Sequence, residues 1–133
     1  MKKTVTIDGQ AYVLYGKADI FFPDIIYDIK TTGRFKGFQA YTERAQHLMY
    51  QTASGIPAFK YLVAVWSDKQ VPMERGGKTF MEEQWCVDSV IPIDVTMDPR
   101  EAEERLADRI RAFIAYIQAD KGMLADYVNI FTR

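Results

Sequence analysis

Five residues stand out by type and spacing: Asp19, Asp28, Lys30, Gln46 and Tyr50. The first three belong to the stretch GKADIFFPDIIYDIK at positions 16–30. Apolar, β-prone residues on both sides of Pro23-Asp24 predict two short strands joined by a tight turn. Pairing Phe22 with Ile25 carries the register outward, setting Asp19 opposite Asp28 and Lys17 opposite Lys30. Alternation along the strand also places Asp28 and Lys30 on one face. Like charges held directly opposite one another, with Cβ atoms about 4.5–5.5 Å apart, are destabilising. Two facing aspartates therefore suit a divalent cation, unless Lys17 and Lys30 neutralise them across the hairpin. Pro23 holds φ near about −65°, which excludes a type I′ turn, and a bulge here would shift the register by one and part the acids. Gln46 and Tyr50, four apart on a helix, share a face.

The elements that must position these residues follow from periodicity and punctuation. Residues 4–7 and 11–15 are β-rich and flank Asp8-Gly9, a strong hairpin signal. With the strands around Pro23-Asp24 they predict a three-strand meander over residues 4–31. Phe38, Tyr41, Ala45, Leu48 and Met49 recur at helical spacing, predicting one helix over residues 38–54, stopped by Gly55 and Pro57. Tyr61 to Trp66, YLVAVW, reads as a strand buried on both faces. Residues 67–78, polar and containing Gly76-Gly77, read as a long exposed turn, and residues 84–93 as a further strand. Asp98-Pro99-Arg100-Glu101 is a helix start, with Asp98 as cap, Pro99 in the first turn and Glu101 placed for a capping box. Leu106, Ile110, Phe113, Ile114 and Ile117 form the apolar stripe of that helix, which Gly122 is expected to end before a short second one over 123–131. The expected class is α/β (α+β), a mixed sheet flanked by helices in the order β-β-β-α-β-β-α.

Composition narrows the function. A chain of 133 residues, 48% hydrophobic, supports one domain with one core. A net charge of −1 announces no global field for nucleic acid, so any such surface must be local. The single cysteine, Cys86, excludes an internal disulfide framework and cysteine-rich metal sites, and is expected in the core. No apolar run reaches membrane-spanning length, and MKKTVTIDGQAY lacks the apolar block of a signal peptide. Lys17, Lys30, Arg34, Lys36 and Arg44 outweigh Glu43 around the acids, forming a basic rim suited to phosphates. Phe35, Phe38 and Tyr41 are interleaved with it and read either as core or as a platform for bases. Asp24 reads as a turn residue, His47 as a surface or boundary residue, and Glu82-Glu83 as solvated.

Gly16-x-x-Asp19, then Asp28-Ile29-Lys30-Thr31, then Gln46-x-x-x-Tyr50 resembles the PD-(D/E)XK nuclease superfamily. The closest likeness is to its branch of RecB-type and lambda-exonuclease-like enzymes of recombination and phage. The resemblance covers residues 4–66. It implies a restriction-endonuclease-like fold and a Mg²⁺- or Mn²⁺-dependent deoxyribonuclease, with an exonuclease as the expected form. Asp19, Asp28 and the backbone carbonyl of Ile29 would be metal ligands. Lys30 would orient or help deprotonate the attacking water and stabilise charge on the phosphate, while Gln46 and Tyr50 would stand beside the site, positioning the DNA backbone or the lysine. Lys17, Arg34, Lys36 and Arg44 would contact DNA. The cytoplasm of a bacterial or phage-infected cell is the expected compartment, with no membrane partner. The family pattern also carries an acidic or histidine ligand on a helix upstream, whereas the eighteen residues before Asp19 read as strand and turn. The expectation is therefore a C-terminal part of a longer protein, a homo-oligomer, or a reduced metal site. A non-catalytic nucleic-acid-binding or scaffold module of the same fold is the alternative, and an unrelated α+β domain whose acids pair with lysines is a second.

Overall fold

The chain begins with a hairpin, β1 (Lys2–Ile7) and β2 (Gln10–Tyr15), closed by Asp8 and Gly9, both in the left-handed region. Positive φ at both turn positions matches the twist of the flanking strands. This computed structural model describes residues 1–131, with side chains for residues 1–127. The hairpin is a sheet of its own, so the expected meander is broken. Val5, Ile7 and Leu14 turn to one face and are buried, which commits that face to a helix layer rather than to the next strand.

The second sheet is mixed, in the order β3-β4-β5-β6: β3 (Ile20–Phe21), β4 (Ile25–Thr32), β5 (Ala58–Arg75) and β6 (Lys78–Asp94). β3 pairs antiparallel with β4, β4 runs parallel to β5, and β5 pairs antiparallel with β6. Parallel strands need a crossover. Here it contains α1 (Gln39–Thr42) and α2 (Gln46–Ser54), so the single helix expected over 38–54 is in fact two. Residues 43–45 hold no Gly or Pro that would require the break. Arginine side chains take the carbonyls it frees: Arg44 Nε donates to Ala40 O at 3.0 Å and Arg109 donates to Glu43 O at 3.3 Å. Gly55, at φ 75°, caps α2.

β5 and β6 are far longer than the apolar runs suggest, because the polar segment 67–78 is not a loop. It continues both strands as a two-stranded arm, and only Gly76-Gly77, at φ 58° and 75°, form the turn. A register shift at Val65/Trp66 marks a bulge where the arm leaves the sheet.

α3 (Pro99–Ala119) starts as expected, with the Asp98 carboxylate accepting from Arg100 N at 2.8 Å. Glu101 does not complete a capping box and instead bonds Arg105 at 2.6 Å. Of the apolar stripe, Leu106 and Ile117 are buried but Phe113 is half exposed and packs on Tyr127 of α4 (Lys121–Phe131). The break falls at Asp120, and Gly122 lies inside α4. The observed order is thus β-β-β-β-α-α-β-β-α-α, a mixed α+β fold with helices beside a mixed sheet.

α2 is the centre of the packing. One side lays Tyr50 on Phe59, with Ile26, Tyr61, Val63 and Ile93 completing that cluster. The other side offers Leu48 to Val5, Ile7 and Leu14 of the hairpin and to Ala102 and Leu106 of α3. His47 falls between these layers and is 2% exposed, correcting its expected place at the surface. No helix among the described residues is long and apolar enough to cross a membrane.

Candidate active site

The turn at Pro23-Asp24 sets the geometry. Phe22 N donates to Ile25 O at 3.0 Å, and Phe21 and Ile20 pair with Ile26 and Tyr27. No bulge intervenes, so the register brings Asp19 level with Asp28. β3 begins only at Ile20, however, and Lys17 lies before the ladder rather than opposite Lys30 within it. Asp19 finishes the edge with its side chain, its Oδ2 accepting from Ile29 N at 2.7 Å. N–H and C=O of one strand residue point to the same edge. The Ile29 carbonyl is therefore directed to the side where the Asp19 carboxylate sits.

Asp28 faces inward, 3% exposed, level with Tyr61 on the neighbouring strand. Gln46, the first residue of α2, donates from Nε2 to Asp28 Oδ1 at 2.6 Å. The Lys30 ammonium stands 2.7 Å from Oδ2. That approach is a charge contact without hydrogen-bond alignment, so Oδ2 is a buried oxygen with no donor aimed at it. A buried carboxylate without full compensation is costly. The helix break is what makes this arrangement: α2 starts anew at the height of Asp28 and aims its first side chain into the sheet.

Tyr50 has a different task from the one its spacing suggests. Its hydroxyl donates to Lys17 O at 2.8 Å and its ring presses on Gly16, where a Cβ would come within 2.7 Å of the ring. Tyr50 fixes the entry into β3, and so the backbone that carries Asp19. It does not bond Lys30.

The cationic residues divide. Lys30, Lys36 and Arg44 line one cleft of about 180 Å³ with Thr31, Thr32 and Tyr41. Arg44 lies over the Tyr41 ring at 4.8 Å, which holds its guanidinium in place. Arg34 belongs to the turn leaving β4, where its backbone N–H donates to Thr32 Oγ1 at 3.1 Å. Lys17 lines a different hollow with Met1, Ala18 and Phe21. A roomier cleft of about 460 Å³ between β1 and α3 is walled by Val5, Ile7, Leu106 and Ile110, but no group of the site reaches it. The aromatic cluster is largely structural: Tyr41 is buried, Phe35 stacks on it at 5.8 Å, and Phe38 alone is well exposed.

Sequence reasoning missed Tyr61, Thr31 and Thr32. The threonines adjoin Lys30 in sequence, but Tyr61 meets Asp28 only through the parallel register, which no local pattern encodes. Tyr61 Oη and His47 Nδ1 lie 3.2 Å apart beneath the site. Burial pushes the Tyr61 phenol up to about 12 and the His47 imidazole down to about 4, the latter helped by the charge of Arg105.

Asp19 and Asp28 with the Ile29 carbonyl make an oxygen-only donor set, the kind that hard divalent cations prefer. Among the described residues no cluster of three or more His, Cys, Asp or Glu comes together. Asp8 is not a further ligand: Arg111 binds its carboxylate at 2.9 and 3.1 Å and holds it below its usual range. Comparison with protein-family models, curated proteins and solved structures finds no match for the chain.

Proposed function

We propose that the chain is a metal-dependent DNA nuclease domain of restriction-endonuclease-like fold, hydrolysing phosphodiester bonds in a phage or recombination setting. The observation that carries this reading is Asp28, a buried carboxylate between Gln46 and Lys30, the latter lining a cleft with Lys36 and Arg44. Asp28 and Asp19 would hold Mg²⁺ or Mn²⁺ with the Ile29 carbonyl. When bound, the metal supplies Lewis acidity and a lowered water pKa. The chain's own groups do the rest. Gln46 fixes the rotamer of Asp28, and Tyr50 fixes the backbone before Asp19. Lys30, at 2.7 Å from Asp28 and lining the cleft, would stabilise negative charge on a phosphate bound there. Lys36 and Arg44 suit the oxygens of an adjoining phosphate.

The second reading, a non-catalytic nucleic-acid-binding module of the same fold, is favoured by the number of carboxylates, which is two. Calorimetric titration with Mn²⁺, on the wild type and on Asp28→Asn, separates the two. Nuclease action requires binding that the variant loses, together with cleavage of linear DNA reduced at least about a hundredfold by the substitution. A folded wild type that takes up no Mn²⁺ retires the catalytic reading in favour of the binding module.

A further inference from the structure

The sheet has two faces, and among the described residues only one is furnished with helices. Phe59, Tyr61 and Val63 turn inward to α2, while alternate residues form an outer face that stays open. Ile29, Leu62, Trp66, Val87, Val90 and Trp85 make that face apolar across three strands. Ile29 is 47%, Val87 45%, Val90 56% and Trp85 66% exposed, and Leu62 and Trp66 are half-buried. With an aromatic side chain contributing about 200 Å² when fully exposed, the patch is on the order of 500 Å². The largest apolar patch of a typical monomer is about 300–600 Å², so this one stands near the upper limit. A standard interface covers about 800 Å² per partner, somewhat more than half of it apolar. The patch supplies that apolar portion.

Charge decides what lies opposite. The cations of the arm, Lys69, Arg75 and Lys78, alternate to the inner side, while Asp68, Glu74 and Glu83 are on the outer one. That sign rejects nucleic acid. Along β5 the apolar centre is Ala64, with Lys60 four residues before it and Asp68 four residues after. Lys60 pairs with Asp94 at 3.1 Å, and Asp68 stands beside Glu83, whose carboxyl it holds above its usual range.

We infer that two copies of this chain pack outer face to outer face, across a two-fold axis that lies between the sheets and crosses β5 at Ala64. Strands then run antiparallel across the interface, and a two-fold contact is reciprocal. Lys60 of each copy meets the Asp68–Glu83 pair of the other, twice. The Trp66 and Trp85 rings of one copy cover the Leu62 end of its mate. Asp28 and the cationic cleft stay on the two outward sides.

Sedimentation equilibrium at tens of micromolar protein is the test, with circular dichroism showing that each variant is folded. The wild type is expected as a dimer. Val90→Glu, at the centre of the patch, is expected to raise the dissociation constant at least about tenfold. Lys60→Glu weakens the dimer as well, and the double variant Lys60→Glu/Asp68→Lys restores it, because opposite charges again face each other. A monomeric wild type overturns the inference and assigns the face to a different protein. A dimer indifferent to Val90→Glu, or a double variant no tighter than Lys60→Glu alone, overturns the proposed geometry.

Discussion

Asp28 and His47 are about equally hidden, at 3% and 2% exposure, but their environments act on them differently. Asp28 has a cation and an amide beside it. His47 has the Tyr61 hydroxyl beside it, and desolvation disfavours its charged form. Its folded pKa of about 4 lies below the usual 6.5, so between these values the unfolded chain binds more protons than the folded one. Stability is therefore full above pH 6.5 and falls as the pH drops toward 4, by on the order of 2 to 3 kcal/mol. Urea titrations at steps across that window measure it. His47→Asn, which sets an amide in place of Nδ1, is expected to flatten this part of the slope. An unchanged slope in the variant would assign the acid sensitivity to other groups. The facing of Asp19 and Asp28 was legible because a two-residue turn fixes a register locally. The burial of His47 was not, since α3, which helps enclose it, lies more than fifty residues away.

Between elements, the contact that matters most for the site is the one between the β2–β3 connector and α2. Gly16 is needed there for space: a Cβ would stand 2.6 Å from the Met49 methyl and 2.7 Å from the Tyr50 ring. Met49 has the freedom to yield, whereas Tyr50 is stacked on Phe59 and bonded to Lys17 O. Gly16→Ala is expected to cost about 1–3 kcal/mol in urea unfolding and to weaken Mn²⁺ uptake with it, as Asp19 shifts. Full stability in the variant would show that the connector relaxes freely. The sequence showed where α2 ends, through Gly55 and Pro57, but not that it starts at Gln46. Helical spacing continues through residues 43–45, and only tertiary partners, Arg109 among them, settle the freed carbonyls. The arm was hidden for a related reason. Its polar residues alternate without an apolar face strong enough to read as strand, and mutual pairing of β5 with β6 alone sustains it.

At the scale of the molecule, helices gather on one side of the sheet and the site opens at its β3 edge, while the far side remains apolar. The pattern of elements pointed to a mixed α+β fold, and the layers agree with that. The order of strands was beyond its reach, because β4 and β5 join over a long excursion that leaves no local mark. That topology also orders events in time. The β5–β6 pair closes through two glycines, a short loop that forms on the microsecond scale. The β4–β5 pair must first bring together ends separated by residues 33–57, at a much larger entropic cost. Nucleation then belongs to the β5–β6 ribbon, with φ-values near 0.5–0.8 for truncations such as Ile93→Val and near zero for Ile26→Val. The reverse ranking would sink this order. Asp28 rides on the late-forming pair, while Asp19 comes level with it through the local turn between β3 and β4. During refolding the β5–β6 ribbon is therefore in place first, and Asp28 loses its water only when β4 docks against it.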